Sequence, residues 1–363
     1  MSDARSRGSR ALAALAFAAG LAAAAPASAQ WSVSANDGKS VLSLGFLAQM
    51  QIEALKAAGS DEYAQNLFVR RARLILGGRV DARTSFFLDT DVPNLGKGQT
   101  TGAKVSNTMV LQDLVITQAI GREFKVDAGM LMVPVSHNAQ QSVASATPID
   151  YGPYSFLQSD ATDSRVNRDY GVDGRAYLAG QHAELRAGVY QGARGGRSIG
   201  AFRTTLRAVY YPFEADTGFF YSGTGFGKKR IVALGGSFDT QQSYESWAGD
   251  LYVDWPVAGD CVNLQVDYMR CDGRQSFVAL PRQDALLLEV GYFFHQAHLT
   301  PFVQFATRDF NDPALADESK LQGGLAVWGN GHRHNLKLGV AKLTRHAASD
   351  GLQYLAQWQV LAF

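Results

Sequence analysis

Past its first 29 residues this sequence has no long apolar run, only two cysteines and no excess of charge of either sign. The first absence excludes a membrane-spanning helix from that part of the chain, because such a helix needs about 18 or more consecutive apolar residues. The balance of charge argues against nucleic acid as a partner. The whole chain carries 34 Lys and Arg against 33 Asp and Glu. Arg5, Arg7, Arg10 and Asp3 fall within the first 29 residues, which leaves 31 basic groups and 32 acidic ones. A nucleic-acid surface needs a basic surplus. The mean hydropathy of −0.11 excludes nothing, since strands that alternate lipid-facing and lumen-facing residues average out like a soluble protein.

The first 29 residues have the layout of a secretory signal. The three arginines precede an alanine-rich core, Ala11–Ala25, and Ala27-Ser28-Ala29 is a small-x-small cleavage site. Cleavage is expected before Gln30, leaving 30–363 as one domain in an oxidising compartment. There the two cysteines, Cys261 and Cys271, would ordinarily pair. Between them lies VNLQVDYMR, which alternates apolar and polar residues. As a strand it would hold the cysteines about 33 Å apart, far beyond the roughly 7 Å that a disulfide spans. Two free thiols are expected.

Alternation then recurs to the end. Sixteen segments carry it: 41–52, 67–79, 84–91, 109–119, 123–133, 169–178, 182–190, 201–211, 229–239, 244–256, 261–270, 283–294, 298–308, 320–329, 334–345 and 352–363. Most are near the 9–11 residues of a tilted membrane strand. The connections alternate short (80–83, 120–122, 179–181, 257–260, 295–297, 330–333) and long (53–66, 92–108, 134–168, 191–200, 271–282, 309–319). Short periplasmic turns and long external loops mark an outer-membrane barrel. One place breaks the rule: 212–228 should be short and is long, and 240–243 the reverse. Outward-phase Tyr210, Trp255 and Phe294 fall at periplasmic strand ends, and Phe68, Phe202 and Tyr354 at external ends, as two aromatic girdles would. Phe363 is out of phase with Tyr354, Trp358 and Val360, which calls for a bulge or a frayed end.

The connection 134–168 has neither a helical nor a two-fold period and holds Pro134, Pro148 and Pro153. A structureless segment this long between two clean strands is usually functional. The fold class expected is all-β: a transmembrane antiparallel β-barrel of about 16 strands, with this third external loop folded into the lumen as a constriction.

FVRRARLILGGRV (Phe68–Val80), FFLDTD (Phe86–Asp91), VDAGMLMVPVS (Val126–Ser136), RDYGVDGRAYL (Arg168–Leu178) and FGKKRIVALGGSFD (Phe226–Asp239) resemble the phosphate-selective porin O/P-like family. The resemblance implies a sixteen-stranded, trimeric porin in the outer membrane of a Gram-negative bacterium, in contact with lipid and lipopolysaccharide. It also implies a constricting third loop and a preference for anions such as phosphate.

The residues themselves speak to selectivity. Arg71, Arg73 and Arg79 share the inward phase of one strand and Arg203 and Arg207 that of another, with Arg175 and Arg186 between them. Rows of charge in a pore wall set ion preference, but the same residues could simply pair with acids. Inward-phase acids are as numerous: Asp89, Asp91, Asp127, Asp173, Glu184, Asp250, Asp254, Asp267 and Glu289. Arg70 falls in the outward phase, where it would snorkel to headgroups. From Pro134 to Ser164 the loop has no Lys or Arg but holds Asp150, Asp160 and Asp163; Arg165 and Arg168 follow near its exit. An acidic loop facing an arginine-bearing wall makes a transverse field rather than a cationic funnel. The expectation is passive diffusion of small hydrophilic solutes and ions with at most a modest anion preference. A phosphate-specific channel, a soluble all-β binding protein and a barrel enzyme are the alternatives.

No cofactor or metal is called for. Asp89 and Asp91 are too few for a calcium cage. His332 and His334 lack a third ligand. Gly223, Gly225 and Gly227 make a turn with no helix behind it to cradle phosphate.

Overall fold

The computed structural model describes residues 31–57, 59–346 and 350–363; the expected signal, 1–29, lies outside the described residues. Seventeen strands follow in order: β1 (Trp31–Ala35), β2 (Ser40–Lys56), β3 (Tyr63–Arg79), β4 (Thr84–Asp91), β5 (Val110–Ile120), β6 (Phe124–Met132), β7 (Arg168–Leu178), β8 (Ala183–Tyr190), β9 (Arg203–Tyr210), β10 (Ile231–Gln241), β11 (Tyr244–Val257), β12 (Asp260–Asp272), β13 (Gln283–Phe293), β14 (Leu299–Phe310), β15 (Glu318–His332), β16 (His334–Arg345) and β17 (Gly351–Ala362). Each of β2–β17 pairs antiparallel with its neighbour, and β17 closes on β2 through pairs such as Trp358↔Met50. The result is a closed sixteen-stranded barrel. The sequence reading missed β1, which extends the ladder on β2 beyond the end of β17.

The strands read inside out compared with those of a water-soluble domain. On β13, Leu286, Leu288 and Val290 are exposed while Glu289 is 3% exposed. On β2, Leu42, Leu44, Phe46 and Met50 are exposed while Gln49, Gln51 and Glu53 are buried. Apolar side chains facing outward from a closed barrel are what a lipid surface stabilises. Cys261 and Cys271 lie at opposite ends of β12, buried and unpaired.

Three irregularities disturb the register, one of them between β15 and β16 at Trp328/Asn330. Between β2 and β3 it slips at Gln49/Met50, leaving Arg70 without an opposite number. Between β4 and β5 it slips at Asp89/Thr90, which turns Gln112 inward beside Asp113. The slip between β2 and β3 corrects two assignments. Phe68 is 3% exposed and faces inward, and Arg70 bonds to the loop Asp150 rather than reaching for headgroups. Tyr210, Phe202, Phe294 and Tyr354 are exposed as expected. Phe363 needs no bulge, because β17 keeps its register to Ala362. Its ring packs inward, T-shaped on Phe87 at 6.1 Å, over the bare backbone of Gly77.

The connection 133–167 is buried along 133–149 save for half-buried Ser142, is partly exposed beyond that, and begins with one helical turn, α1 (His137–Gln140), capped by Ser136 Oγ accepting from Ala139 N at 3.2 Å. Its partners are spread around the wall. Asp267 of β12 accepts from Asn138 N at 2.9 Å, and Gln304 of β14 donates to Asp150 O at 3.1 Å. Lys337 of β16 donates to Ala146 O at 2.6 Å and Pro148 O at 2.8 Å. Gln359 of β17 donates to Ala144 O at 2.8 Å. The irregular count at 212–243 is no missing hairpin: β9 and β10 are adjacent, and the turn between them is simply elaborated.

Candidate functional site: the barrel interior

The elaborated turn 211–230 docks on the loop. Ser142 N donates to Tyr221 O at 2.8 Å, Tyr221 N to Gln140 O at 3.1 Å, and Gly223 N to Ser145 Oγ at 2.9 Å. The glycines of this turn do cradle an anion, but it is the chain's own Asp254, which accepts from Gly225 N and Gly227 N. A Cβ on Gly225 would meet that carboxylate at 2.6 Å, so the close approach requires glycine. The buried face of this junction is cationic. Arg186 donates to Gly218 O at 3.0 Å and Phe219 O at 3.2 Å, and its guanidinium lies 4.7 Å from the Tyr221 ring centre.

Most of the arginines expected to tune the pore are therefore occupied. Arg203 pairs with Asp239 at 2.6 Å, Arg207 with Asp250 at 2.6 Å and Arg168 with Asp113 at 3.3 Å. Arg175 pairs with Asp127 and Arg186 with Glu184. Each of these five arginines is buried. All five pairs join residues of the wall strands, where removing one partner leaves an uncompensated buried charge; the loop and turn are held by further bonds of the same arginines, Arg203 to Thr162 Oγ1, Arg207 to Val135 O and Arg186 to Gly218 O. Arg79 is exposed and donates to the Gly38 and Lys39 carbonyls, clasping the β1–β2 hairpin rather than facing the loop.

The other side of the interior is more open. Two cavities of about 330 and 220 Å³ share Arg70, Asp150 and Lys320 as walls. The bulge in β3 puts successive arginines on one carboxylate: Arg71 meets Asp150 Oδ1 at 2.6 Å and Arg70 meets Oδ2 at 2.8 Å. Burial opposes charge on Asp150, but Arg70 and Arg71 outweigh it and hold its carboxyl well below the usual range. Arg73 is neutralised by Asp89 at 2.9 Å and Asp91 at 3.2 Å. Lys97 meets Glu53 at 2.9 Å. Six cations (Arg70, Arg71, Arg73, Lys97, Arg165, Lys320) thus line the two cavities against three carboxylates (Glu53, Asp91, Asp150). Asp160 and Asp163 are exposed and make no ion pair among the described residues, and exposed Arg165 donates to Leu111 O.

Arg70, Lys97, Lys320, Lys337 and Asp113 were missed as site residues. Lys320 and Lys337 stand in strands with their heads turned inward, a signal available from phase. The bulge and the placement of Lys97 on the 92–109 connection left no such signal. His332 and His334 do not converge: His332 stacks on Phe226 at 4.6 Å, and His334 meets Trp358 edge-on.

His137 lies between the rings of Tyr252 and Tyr221, at 3.9 and 4.9 Å, with Nε2 3.0 Å from Ser222 O. Burial lowers its pKa to about 4; Asp250 and Glu184 favour the proton and Arg207 opposes it, and burial wins. A freed imidazole takes its proton near pH 6.5, whereas the docked one resists down to about 4. Docking is therefore fully stable above pH 6.5 and loses stability as pH falls through that window, by about 3 kcal/mol at most. The protection factors of the Ser142 and Tyr221 amides, taken against the intrinsic exchange rate at each pH, should fall between pH 7 and 5; a pH-independent protection would contradict this.

Residues 48–228 match the family of phosphate-selective porins O and P. No curated protein matches the sequence. Among solved structures, Salmonella typhi OmpF in complex with daunomycin is 14% identical with a TM-score of 0.60, covering 91% of this chain and 100% of its own. A loop L8 deletion mutant of Vibrio cholerae OmpT is 10% identical with a TM-score of 0.55 over 88% of this chain and 99% of its own. Low-pH Pseudomonas putida OprB is 9% identical at 0.54, over 90% and 93%. At these identities the structures speak to the fold, and they agree with it: a closed antiparallel barrel of sixteen strands. With the sequence match over 48–228 and the lipid-facing wall, the chain belongs to the phosphate-selective porin O and P family, as an outer-membrane porin through which small hydrophilic solutes and ions diffuse passively.

Proposed function

We propose that solutes pass between the 134–168 loop and the wall made by β2, β3, β15 and β17, with Arg70 and Arg71 facing Asp150 at the narrow region, and that the pore favours anions only modestly. The observation that carries this is the surplus of cations over carboxylates around the two cavities. Low dielectric at a constriction strengthens such a surplus. A tight phosphate site needs several unpaired cations converging on one point. Here Arg73, Arg168, Arg175, Arg186, Arg203 and Arg207 each face a carboxylate, which argues against such a site. The loop reading is supported by the loop's bonds to β12, β14, β16 and β17. The chain acts as a channel rather than an enzyme, is exported with residues 1–29 removed, and sits in lipid and lipopolysaccharide as a homotrimer. One structure of Vibrio cholerae OmpT, itself similar to this barrel, is a trimer form. In planar bilayers across a KCl gradient the reversal potential should show a small anion preference, and millimolar phosphate should leave chloride current largely intact. Block by submillimolar phosphate would establish the phosphate-specific alternative instead.

A further inference from the structure

The smaller cavity, of about 220 Å³, carries more chemistry than a vestibule needs. Gln51 is 5% exposed, Gln322 is 2% exposed and Gln353 is half-buried. All three line the cavity, and Gln51 Oε1, Gln353 Oε1 and Gln322 Nε2 are buried at its wall without a protein partner, so a solute meets them as the side chains turn toward it. The Gln353 amide is oriented, because its Nε2 donates to Glu53 at 3.0 Å and leaves Oε1 to accept. Lys320 lines the same cavity and makes no ion pair among the described residues, whereas Lys97 is held by Glu53 and Arg70 by Asp150. Phe68 and Leu355 supply apolar wall.

We propose that this cavity is a binding subsite for small hydroxylated monocarboxylates, with the carboxylate on Lys320 and the hydroxyls donating to Gln51 Oε1 and Gln353 Oε1. The inference rests on the reading above that solutes pass here. One unpaired ammonium calls for one negative charge. Two amide acceptors call for hydroxyl hydrogens. At about pH 8 phosphate is chiefly a dianion, whose single hydroxyl would leave an amide oxygen facing an anion. A neutral polyol would leave Lys320 without a counter-charge. Buried polar groups left unmatched penalise the wrong ligand more than matched ones reward the right one, which is how such sites discriminate.

The full chain in planar bilayers at about pH 8, where phosphate is chiefly the dianion, tests this, with D-glycerate, propionate, glycerol and inorganic phosphate added in turn to both sides and the half-blocking concentration of the chloride current read. Glycerate and propionate share charge and carbon count; glycerate and glycerol share hydroxyls. Glycerate should block at about tenfold lower concentration than propionate, equivalent to about 1.4 kcal/mol, and glycerol should not block. Gln51→Leu with Gln353→Leu should bring glycerate to the propionate level, and Lys320→Met should weaken both anions. If the double variant does not insert, Gln353→Met alone should raise the glycerate value about threefold. Equal block by glycerate and propionate, stronger block by phosphate, or glutamine variants that leave glycerate unchanged each overturn the subsite. Absence of any chloride current through the unmodified protein would refute the pore reading instead, so the two failures are distinguishable.

Discussion

Deleting Ala139–Ser159 and replacing 214–228 by a two-residue turn in the same chain should raise single-channel conductance roughly threefold, because an unfilled sixteen-stranded barrel encloses an aqueous channel. Each deletion alone should give less than half of that gain. The loop and the turn are docked on each other at Ser142, Tyr221 and Gly223, yet each also has its own hold on the wall. The loop keeps Lys337 and Asp267; the turn keeps Arg186. Removing one therefore leaves the other in place, partly relaxed, and the two effects should exceed their sum. The deletion does not strand the buried ion pairs. Water reaches Arg207–Asp250 once its cover has gone, and a solvated pair costs little. A doubly deleted barrel that still shows the heat-modifiable mobility of a folded porin, but conducts no more than the parent, would mean that neither segment obstructs the path.

Why the strands were legible and the site was not is a matter of range. Leu286, Leu288 and Val290 face outward on β13 because each local choice in the sequence obeys the two-residue period, and sixteen such segments fix a barrel without any long-range information. The single-residue slip opposite Gln49 carries no such mark. It reverses the phase of everything before it on β3, so Phe68 and Arg70 were placed on the wrong face by a rule that holds everywhere else on that strand. The odd length of 212–228 was visible, but its destination depends on Gln140, Ser142 and Ser145, about eighty residues earlier. The pairing of arginines with acids was equally hidden. Register decides that Arg207 meets Asp250 across the sheet, and phase alone gives only that both point inward.

That distinction decides which arginines govern selectivity. Arg70→Ala with Arg71→Ala should move the anion-to-cation permeability ratio toward cations by up to roughly 50-fold at low salt, since a unit charge about 7 Å from an ion in water is worth roughly 0.6 kcal/mol, two are removed, and the cation gains what the anion loses. Arg71→Ala with Arg73→Ala removes the same formal charge but should do less. Arg73 is held between Asp89 and Asp91 with its side chain 10% exposed, against 23% for Arg70, so it stands farther from the ion path. Arg207→Ala should leave selectivity alone. It strands Asp250 beneath the loop, which costs about 3–5 kcal/mol of stability, and its effect should appear as a lower unfolding temperature in detergent. The reversal potential separates the three variants at once. If Arg70→Ala with Arg71→Ala leaves it where it was while Arg207→Ala moves it, ions run past β9 rather than β3, and the path lies on the other side of the loop.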